Sequence, residues 1–218
     1  MDIIEAIRSR RSIRAFKPNP VSRETLESIL NAAILAPSWA NTQPWEFTVV
    51  GGKVMEELRQ ALLQGSEEAG PELGSPDFTG AYDTRRRDLA RIIYETKGIA
   101  RDDREERREW ALQGRRLFDA PNAIIVYFDR SLLLTYATYD CACVAMNIML
   151  AALHYGLGTI PQIAPLRYPQ VVKRVIGIPD TKVLVITIAI GYPDLSDQIN
   201  EFPREREPAA NLTCWVGF

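Results

Sequence analysis

Residues 123–155 read AIIVYFDRSLLLTYATYDCACVAMNIMLAALHY, and this stretch decides the fold. Its first six residues are all apolar, which predicts a strand at Ala123–Phe128 that is covered on both faces. The segment Thr135–Tyr155 predicts the most hydrophobic helix of the chain, placed in the core or at a subunit interface. A second apolar run predicts a buried strand at Val183–Gly191. A sheet with a long apolar helix beside it is therefore the expected centre of the molecule.

Amphipathic patterns and turn residues predict the other elements on both sides of this centre. Helices are predicted at Asp2–Ser9, from Ser22 to a stop at Pro37, at Lys53–Leu63, at Tyr82–Lys97 and at Asp102–Phe118, and a strand at Trp45–Val50. A Gly- and Pro-rich excursion is expected between Gly65 and Gly80, and the polar tail from Asn200 ends in a β-like CWVGF. Helices and strands do not alternate as βαβ units, and no G-x-G-x-x-G follows a strand. The fold class is therefore α+β, without a Rossmann domain.

Composition limits the classes of function. The chain has 218 residues, of which 46% are hydrophobic and 25% charged, so a single folded domain over residues 1–218 is expected. A net charge of -2 offers no broad basic surface, which argues against nucleic acid as a partner. No run of 18 apolar residues and no apolar leader occur, so we expect a cytoplasmic protein without a membrane span. Three cysteines and one histidine, His154, favour buried reduced thiols over a disulfide scaffold or a metal site.

Two segments carry arginine pairs or clusters. RRSIRAF, Arg10–Phe16, combines three arginines with a serine hydroxyl after the first helix, which suits a phosphate because guanidinium groups donate in pairs. The same arginines could instead complement the negative end of the helix dipole. FPRERE, Phe202–Glu207, alternates arginine with acids, and salt-bridged surface is the expected interpretation there.

Two further segments are suited to a planar ligand. APSWANTQPWEF, Ala36–Phe47, presents Ser, Asn and Gln between two prolines, and such side chains can read the polar edge of a heteroaromatic ring. An ordinary turn is the alternative. HYGLGTIPQIAPL, His154–Leu166, predicts a tight loop that could press backbone N–H groups onto a ligand, and a plain helix cap with its connection is the alternative.

Taken together and in this order, several motifs resemble the nitroreductase family of flavoproteins over nearly the whole chain. They are RRSIR, PSWANTQPW, GLGTIPQ, the GYPD of residues 191–194 and the arginine pair Arg204 and Arg206. RRRDLARIIYETKGIARDDREERR and FDAP further resemble a branch that includes nitrobenzoate-type reductases. The resemblance implies a central, mostly antiparallel sheet flanked by helices. It also implies a homodimer whose subunits exchange their tails and bind FMN at the interface.

The resemblance assigns cofactor contacts residue by residue. It implies that Arg10 and Ser12 hold the FMN phosphate together with Arg204 or Arg206, with Arg11 beside them, and that Arg14 approaches the flavin pyrimidine. From the partner subunit it implies contacts by Pro37, Ser38, Trp39 and Asn41. It places Pro161 against the ring, the N–H groups around Gln162, Ile163 and Ala164 at flavin N5, and Gln113 and Arg116 near the pyrimidine. Relatives carry an acidic residue and glycine where Ile163 and Ala164 stand.

The activity implied by the resemblance is reduction of a nitroaromatic or quinone acceptor by NAD(P)H in a ping-pong hydride mechanism. The flavin performs the redox chemistry, so no side chain is assigned as a catalytic acid or base. Two alternatives stay open: other flavin chemistry on the same fold, such as dehalogenation, enone reduction or ring oxidation, and a flavin-binding protein without enzymatic activity.

Overall fold

A four-stranded antiparallel sheet forms the centre of the computed structural model, which describes residues 2–68, 74 and 76–218. The strands are β1 (Glu46–Gly51), β2 (Asn122–Asp129), β3 (Gly158–Gln162) and β4 (Lys182–Gly191). Their spatial order is β1-β2-β4-β3, with each pair antiparallel and one register shift in β2 between Val126 and Tyr127. The expected α+β class with a central antiparallel sheet is confirmed.

Helices cover both faces of this sheet. The described residues form α1 (Ile3–Ser9), α2 (Arg23–Ala33), α3 (Gly52–Glu68), α4 (Gly80–Lys97), α5 (Arg104–Arg115), α6 (Leu134–His154) and α7 (Pro169–Ile176). One core joins α2 and α6 to the face of β2 that carries Ile124, Val126 and Phe128. A second core joins α3 and α7 to the opposite face, which carries Ala123 and Ile125. Because successive strand residues point to opposite faces, the apolar run in β2 supplies both cores, as predicted.

Local side chains fix where several helices begin. The Asp2 carboxylate accepts the Glu5 N–H, the Ser22 hydroxyl accepts the Thr25 N–H, and the Asp103 carboxylate accepts the Glu106 N–H. Such caps satisfy N–H groups that a helix leaves without an internal partner. The predicted starts of the first two helices are confirmed.

The predicted loop His154–Leu166 is wrong over Gly158–Gln162, which forms β3. Glycine and proline usually interrupt strands, but an edge strand accepts proline because one side of it needs no ladder hydrogen bond. Pro161 pairs with Ile188 at this edge. Helix α7 was not predicted, although Pro169 stands at its first turn.

Other predicted boundaries move. Helix α3 continues to Glu68, into the predicted excursion; residues 69–73 and 75 of that excursion lie outside the described residues. Helix α5 ends at Arg115, because Leu117, Phe118 and Asp119 all take positive φ angles of 60°, 52° and 53°. The predicted β-like ending at residues 214–218 forms no strand and is exposed.

The long helix α6 is the one helix among the described residues that could cross a membrane by length and composition. Its Val144 and Ile148 side chains are fully buried against the sheet and α2. The three cysteines are free as predicted, but only Cys141 is fully buried, and Cys214 is exposed.

The segment that follows α1 lies against β3. Ile13 N–H donates to Thr159 O at 3.0 Å, and Ser12 forms an isolated parallel β-bridge with Thr159. The close approach depends on Gly158, because a Cβ there would stand 2.5 Å from Ile13 Cγ1.

Gly158→Ala is expected to lower stability by about 1–3 kcal/mol, the usual cost of overpacking, because Ile13 must move away from β3. Chemical denaturation measures this change. Gly114→Ala is the matched control, since its Cβ would meet only Phe118 Cζ, at 3.9 Å, and alanine favours the helix. Equal stabilities of the Gly158→Ala variant and the unmodified protein would contradict the expectation.

Candidate functional site

Five arginines from both ends of the chain line one small cleft. Arg10, Arg11 and Arg14 follow α1, and Arg204 and Arg206 come from the tail. Ser12, Leu89 of α4, Asn200 and Phe202 complete the lining of a cavity of about 100 Å³. The residues predicted to bind a phosphate therefore lie together in one cleft, although they are nearly 200 positions apart in the sequence.

The cleft carries positive charge that nothing nearby neutralises. Within the described part of the chain, none of the five guanidinium groups forms an ion pair with a carboxylate, and Arg10 Nη1 is buried without a hydrogen-bond partner. The expected salt-bridged surface at Arg204 and Arg206 is therefore wrong. Arg11 donates to Phe202 O at 3.0 Å, and Arg204 donates to Arg8 O. Glu207 of FPRERE pairs with Arg85 and not with an arginine of the cleft.

Burial and mutual repulsion lower the pKa of Arg10, Arg14 and Arg204. Burial, followed by the charge of Arg10, lowers the pKa of Arg14 to about 10. Burial also lowers the pKa of Arg10, with the charge of Arg206 adding to it, and burial with three neighbouring arginines lowers the pKa of Arg204. Because the guanidinium groups repel one another in the folded state, an anion in the cleft would relieve that repulsion. This arrangement fits a phosphate group.

Asn200 fixes the backbone at Arg14 and was not identified from the sequence. Its Oδ1 accepts Arg14 N–H at 2.7 Å, and its Nδ2 donates to Ala15 O and Asp194 O, both at 2.8 Å. The Arg14 guanidinium lies 5.4 Å from the centre of the Phe202 ring. Asn200 stands in a segment that the sequence marks only as polar, so no local pattern could have revealed its role.

Asn200→Ala is expected to lower stability by about 1–3 kcal/mol, because the Ala15 and Asp194 carbonyls would lose their donor and the Arg14 N–H would lose its acceptor. Chemical denaturation of the variant, compared with an Asn19→Ala control at an exposed position, measures this effect. Equal losses in the two variants would contradict the role given to Asn200.

Strand β3 contacts the arginine cleft through Thr159, which forms a β-bridge with Ser12, and the chain after β3 offers free backbone donors. The N–H groups of Ile163 and Ala164 donate to no described residue, and the Ile163 side chain is exposed. The Gln162 side chain points inward and donates to Gly114 O at 2.9 Å. This bond occupies the Gln162 amide nitrogen, whereas its Oε1 is buried without a hydrogen-bond partner among the described residues.

The bond between Gln162 and Gly114 brings the end of α5 to the same region. Gln113 is half-buried there, while the Arg116 guanidinium bonds to Glu109 at 2.9 Å and Asp119 at 3.3 Å. Burial opposes the charge of Arg116, but these two carboxylates outweigh it and raise its pKa. The charge of Arg116 is thus already balanced, unlike the charges in the arginine cleft.

The loop Pro37–Asn41 does not line the arginine cleft. It borders a cleft of about 480 Å³ with Tyr136, Tyr139 and the buried Asp140, and no residue lines both this cleft and the arginine cleft. Ala40, Asn41 and Gln43 have positive φ angles of 48°, 57° and 46°. Gln43 N–H donates to Ser38 Oγ at 2.9 Å, and Gln43 Nε2 donates to Asn41 Oδ1 at 3.2 Å. The Ser38 hydroxyl hydrogen and the Asn41 amide hydrogens are left for a ligand.

Comparisons with known proteins identify the family of the chain. A family model described as "Nitroreductase family" matches residues 7–192. The chain is 32% identical to the chloronitrobenzene nitroreductase of Comamonas testosteroni, covering 98% of this chain and 96% of that protein. It is 30% identical to the 4-nitrobenzoate reductase of Pseudomonas putida, covering 100% and 96%. The solved FMN- and NADPH-dependent nitroreductase NfnB of Sphigopyxis sp. strain HMH matches with a TM-score of 0.94 at 32% identity over 100% of both chains.

Proposed function

Because the chain belongs to the nitroreductase family, we propose that it is an FMN-dependent enzyme that uses NADPH to reduce nitroaromatic compounds by a ping-pong mechanism. Nitroaromatic substrates are named for both relatives described above, and NADPH dependence is named for the similar solved enzyme. Quinones are the second class of acceptor that we propose. The sequence alone does not choose between NADH and NADPH, and we propose NADPH because the similar solved enzyme is described as NADPH-dependent.

The arginine cleft is the observation that carries this proposal. Five guanidinium groups face a space without a carboxylate, and a buried Arg10 nitrogen lacks a partner. A phosphate supplies the acceptors that these donors need, and paired N–H groups of arginine match its geometry. We assign the phosphate of FMN to Arg10, Arg11, Ser12, Arg204 and Arg206.

The remaining cofactor contacts follow from the neighbours of this cleft. Arg14 extends the positive charge toward the flavin pyrimidine, and Pro161 and the free N–H groups of Ile163 and Ala164 at the end of β3 address the ring and its N5 atom. Gln113 and Arg116 are proposed at the pyrimidine edge, because Gln162 holds the end of α5 beside β3. The charge on Arg14 would stabilise the negative charge that the flavin gains on reduction.

We propose a homodimer in which the loop Pro37–Asn41 of one subunit completes the cofactor site of the other. Two observations support it. The loop lines a cleft that shares no residue with the arginine cleft of the same chain, so the loop half of each site would come from the partner subunit. Large apolar side chains also stand exposed, among them Ile3, Leu35, Leu133, Tyr139, Trp215 and Phe218. A second copy would bury them, and apolar surface of this extent usually marks an interface.

The protein contributes binding, orientation and charge to the reaction. When bound, FMN would supply the hydride chemistry that links NADPH to the acceptor. Ser38 and Asn41 offer hydrogen-bond donors to the edge of the ring, and Trp39, with 64% of its surface exposed, provides an aromatic wall. We interpret α6 as a core and interface helix of a cytoplasmic enzyme. Asp140 places a carboxylate within the helix, and one face of the helix packs on the sheet.

The test is an anaerobic titration of the FMN-loaded protein with NADPH, followed by addition of a nitrobenzoate. The visible flavin absorbance should disappear with NADPH and return with the nitro compound. Flavin that binds but is not reduced would favour a binding protein. Flavin that is reduced by NADPH but reoxidised only by enones or halogenated aromatics would favour the other flavin chemistries. Failure to bind FMN would refute the proposal.

A further inference from the structure

Helix α6 holds the loop that the proposed function places against the flavin. Both oxygens of the Asp140 carboxylate lie near the Trp39 N–H, at 3.2 and 3.3 Å from its nitrogen. Seven residues later, and so two helical turns along the same face, Asn147 Nδ2 donates to Ala33 O at 3.2 Å. The two side chains thus bind both ends of the segment between α2 and the loop.

The Asp140 side chain is almost completely buried, which is unusual for a carboxylate. It is 2% exposed, and the Trp39 N–H is the hydrogen-bond donor that the structure gives it among the described residues. Burial of a carboxylate with a single hydrogen-bond donor costs free energy. The position of Asp140 against the Trp39 N–H therefore indicates a role in holding Trp39. The carboxylate also lines the clefts on both sides of Trp39.

The loop needs an external support, because its conformation is costly. Ala40, Asn41 and Gln43 all adopt positive φ angles without being glycine. Such residues cost free energy and persist only where neighbouring structure holds them. The hydrogen bonds inside the loop link Ser38, Asn41 and Gln43 to one another but do not attach the loop to the body of the protein. Asp140 supplies an attachment, at Trp39 between Ser38 and Ala40.

We propose that Asp140 and Asn147 are positioning residues, which hold residues 33–39 on α6 and thereby keep Ser38 and Asn41 in the geometry that contacts flavin. This inference rests on the proposed function, because it concerns how the proposed flavin contacts are held. Neither side chain is assigned a contact with the cofactor. Asp140 acts through the Trp39 N–H, and Asn147 acts through the Ala33 carbonyl.

The first test uses the protein without FMN and follows hydrogen exchange of the segment 33–43. Asp140→Ala is expected to speed exchange of the Trp39 amide, because its acceptor is lost. Asp140→Asn keeps a side-chain oxygen and should restore slow exchange. Val144→Ala is the matched control, since Val144 is fully buried on the same helix and makes no hydrogen bond to the loop. Unchanged exchange in Asp140→Ala, or equal acceleration in Val144→Ala, would overturn the proposal.

The second test measures the dissociation constant for FMN in the same variants and in Asn147→Ala. Loss of one charged hydrogen bond predicts weaker FMN binding by about tenfold in Asp140→Ala, with recovery in Asp140→Asn. Asn147→Ala should shift the constant in the same direction and keeps the proposal testable if Asp140→Ala does not fold. Val144→Ala should lower the melting temperature without this shift.

The outcomes separate the two proposals. If the unmodified protein does not bind FMN, the proposed function fails, whereas the exchange experiment still tests whether α6 holds the loop. If the unmodified protein binds FMN and both Asp140→Ala and Asn147→Ala bind it equally well, the proposed function stands and the positioning role is wrong. If Asp140→Asn is as impaired as Asp140→Ala, the hydrogen bond to Trp39 is not the cause.

Discussion

Arg10→Gln is expected to weaken FMN binding by about 10- to 150-fold, which corresponds to loss of charged hydrogen bonds worth about 1.5–3 kcal/mol. Arg10 Nη1 is the buried nitrogen without a partner, so its removal takes a donor that only an anion would satisfy. The same change should raise the melting temperature of the protein without FMN, because one of five crowded cations is removed and the pKa of Arg14 is no longer lowered by Arg10. Affinity and stability therefore change in opposite directions.

Fluorescence titration with FMN and thermal unfolding of the apoprotein measure the two effects. Arg23→Gln is the matched control, because that arginine is exposed on α2 and pairs with Glu27. It should change neither the FMN affinity nor the effect of added phosphate on stability. A variant Arg10→Gln that is less stable without FMN and binds FMN normally would show that Arg10 has a structural role only.

Two variants that each lack one half of the cofactor site are expected to complement each other. In a homodimer, Arg10→Gln damages the phosphate half of both sites, and a double variant Ser38→Ala with Asn41→Ala damages the loop half of both. A mixed dimer carries one site with both defects and one site with none, if the halves come from different subunits. Mixing the variants after dissociation should therefore restore FMN binding at one site of each mixed dimer.

The control is each variant subjected to dissociation and reassembly alone, which should restore nothing. If both halves of a site came from one chain, every site in the mixed dimer would keep one defect, and no binding would return. Failure to restore FMN binding in verified mixed dimers would thus remove the proposed contribution of Ser38 and Asn41 across the interface.

The sequence predicted the elements whose signals are local and continuous. The strand predicted at Ala123–Phe128 and the helix predicted at Thr135–Tyr155 are present within one residue of their predicted ends. Both segments are longer continuous apolar patterns than a loop would contain. The short edge strand β3 was missed because glycine and proline, here Gly158 and Pro161, usually indicate a turn and are accepted in a strand mainly at the edge of a sheet. Helix α7 was missed as well, since its eight residues lie in a short stretch rich in turn residues.

The candidate site was predictable in its parts but not in its assembly. The motif RRSIR suggested an anion site, yet its union with Arg204 and Arg206 depends on tertiary contacts across nearly the whole chain. Salt bridges were the expected state of FPRERE, because alternating charges usually pair. Asp140 and Asn200 gave no signal, since an acid in an apolar helix and an asparagine in a polar tail reveal their partners only in three dimensions.

The measurement that tests the central claim most directly compares FMN with riboflavin, which lacks the phosphate. The apoprotein is titrated with each ligand under the same buffer conditions, without phosphate or sulfate. If the arginine cleft holds the phosphate, FMN binds at least roughly 100-fold more tightly than riboflavin, as two or more charge-assisted hydrogen bonds would give. Equal affinity for the two ligands would contradict the assignment of the arginine cleft to the cofactor phosphate.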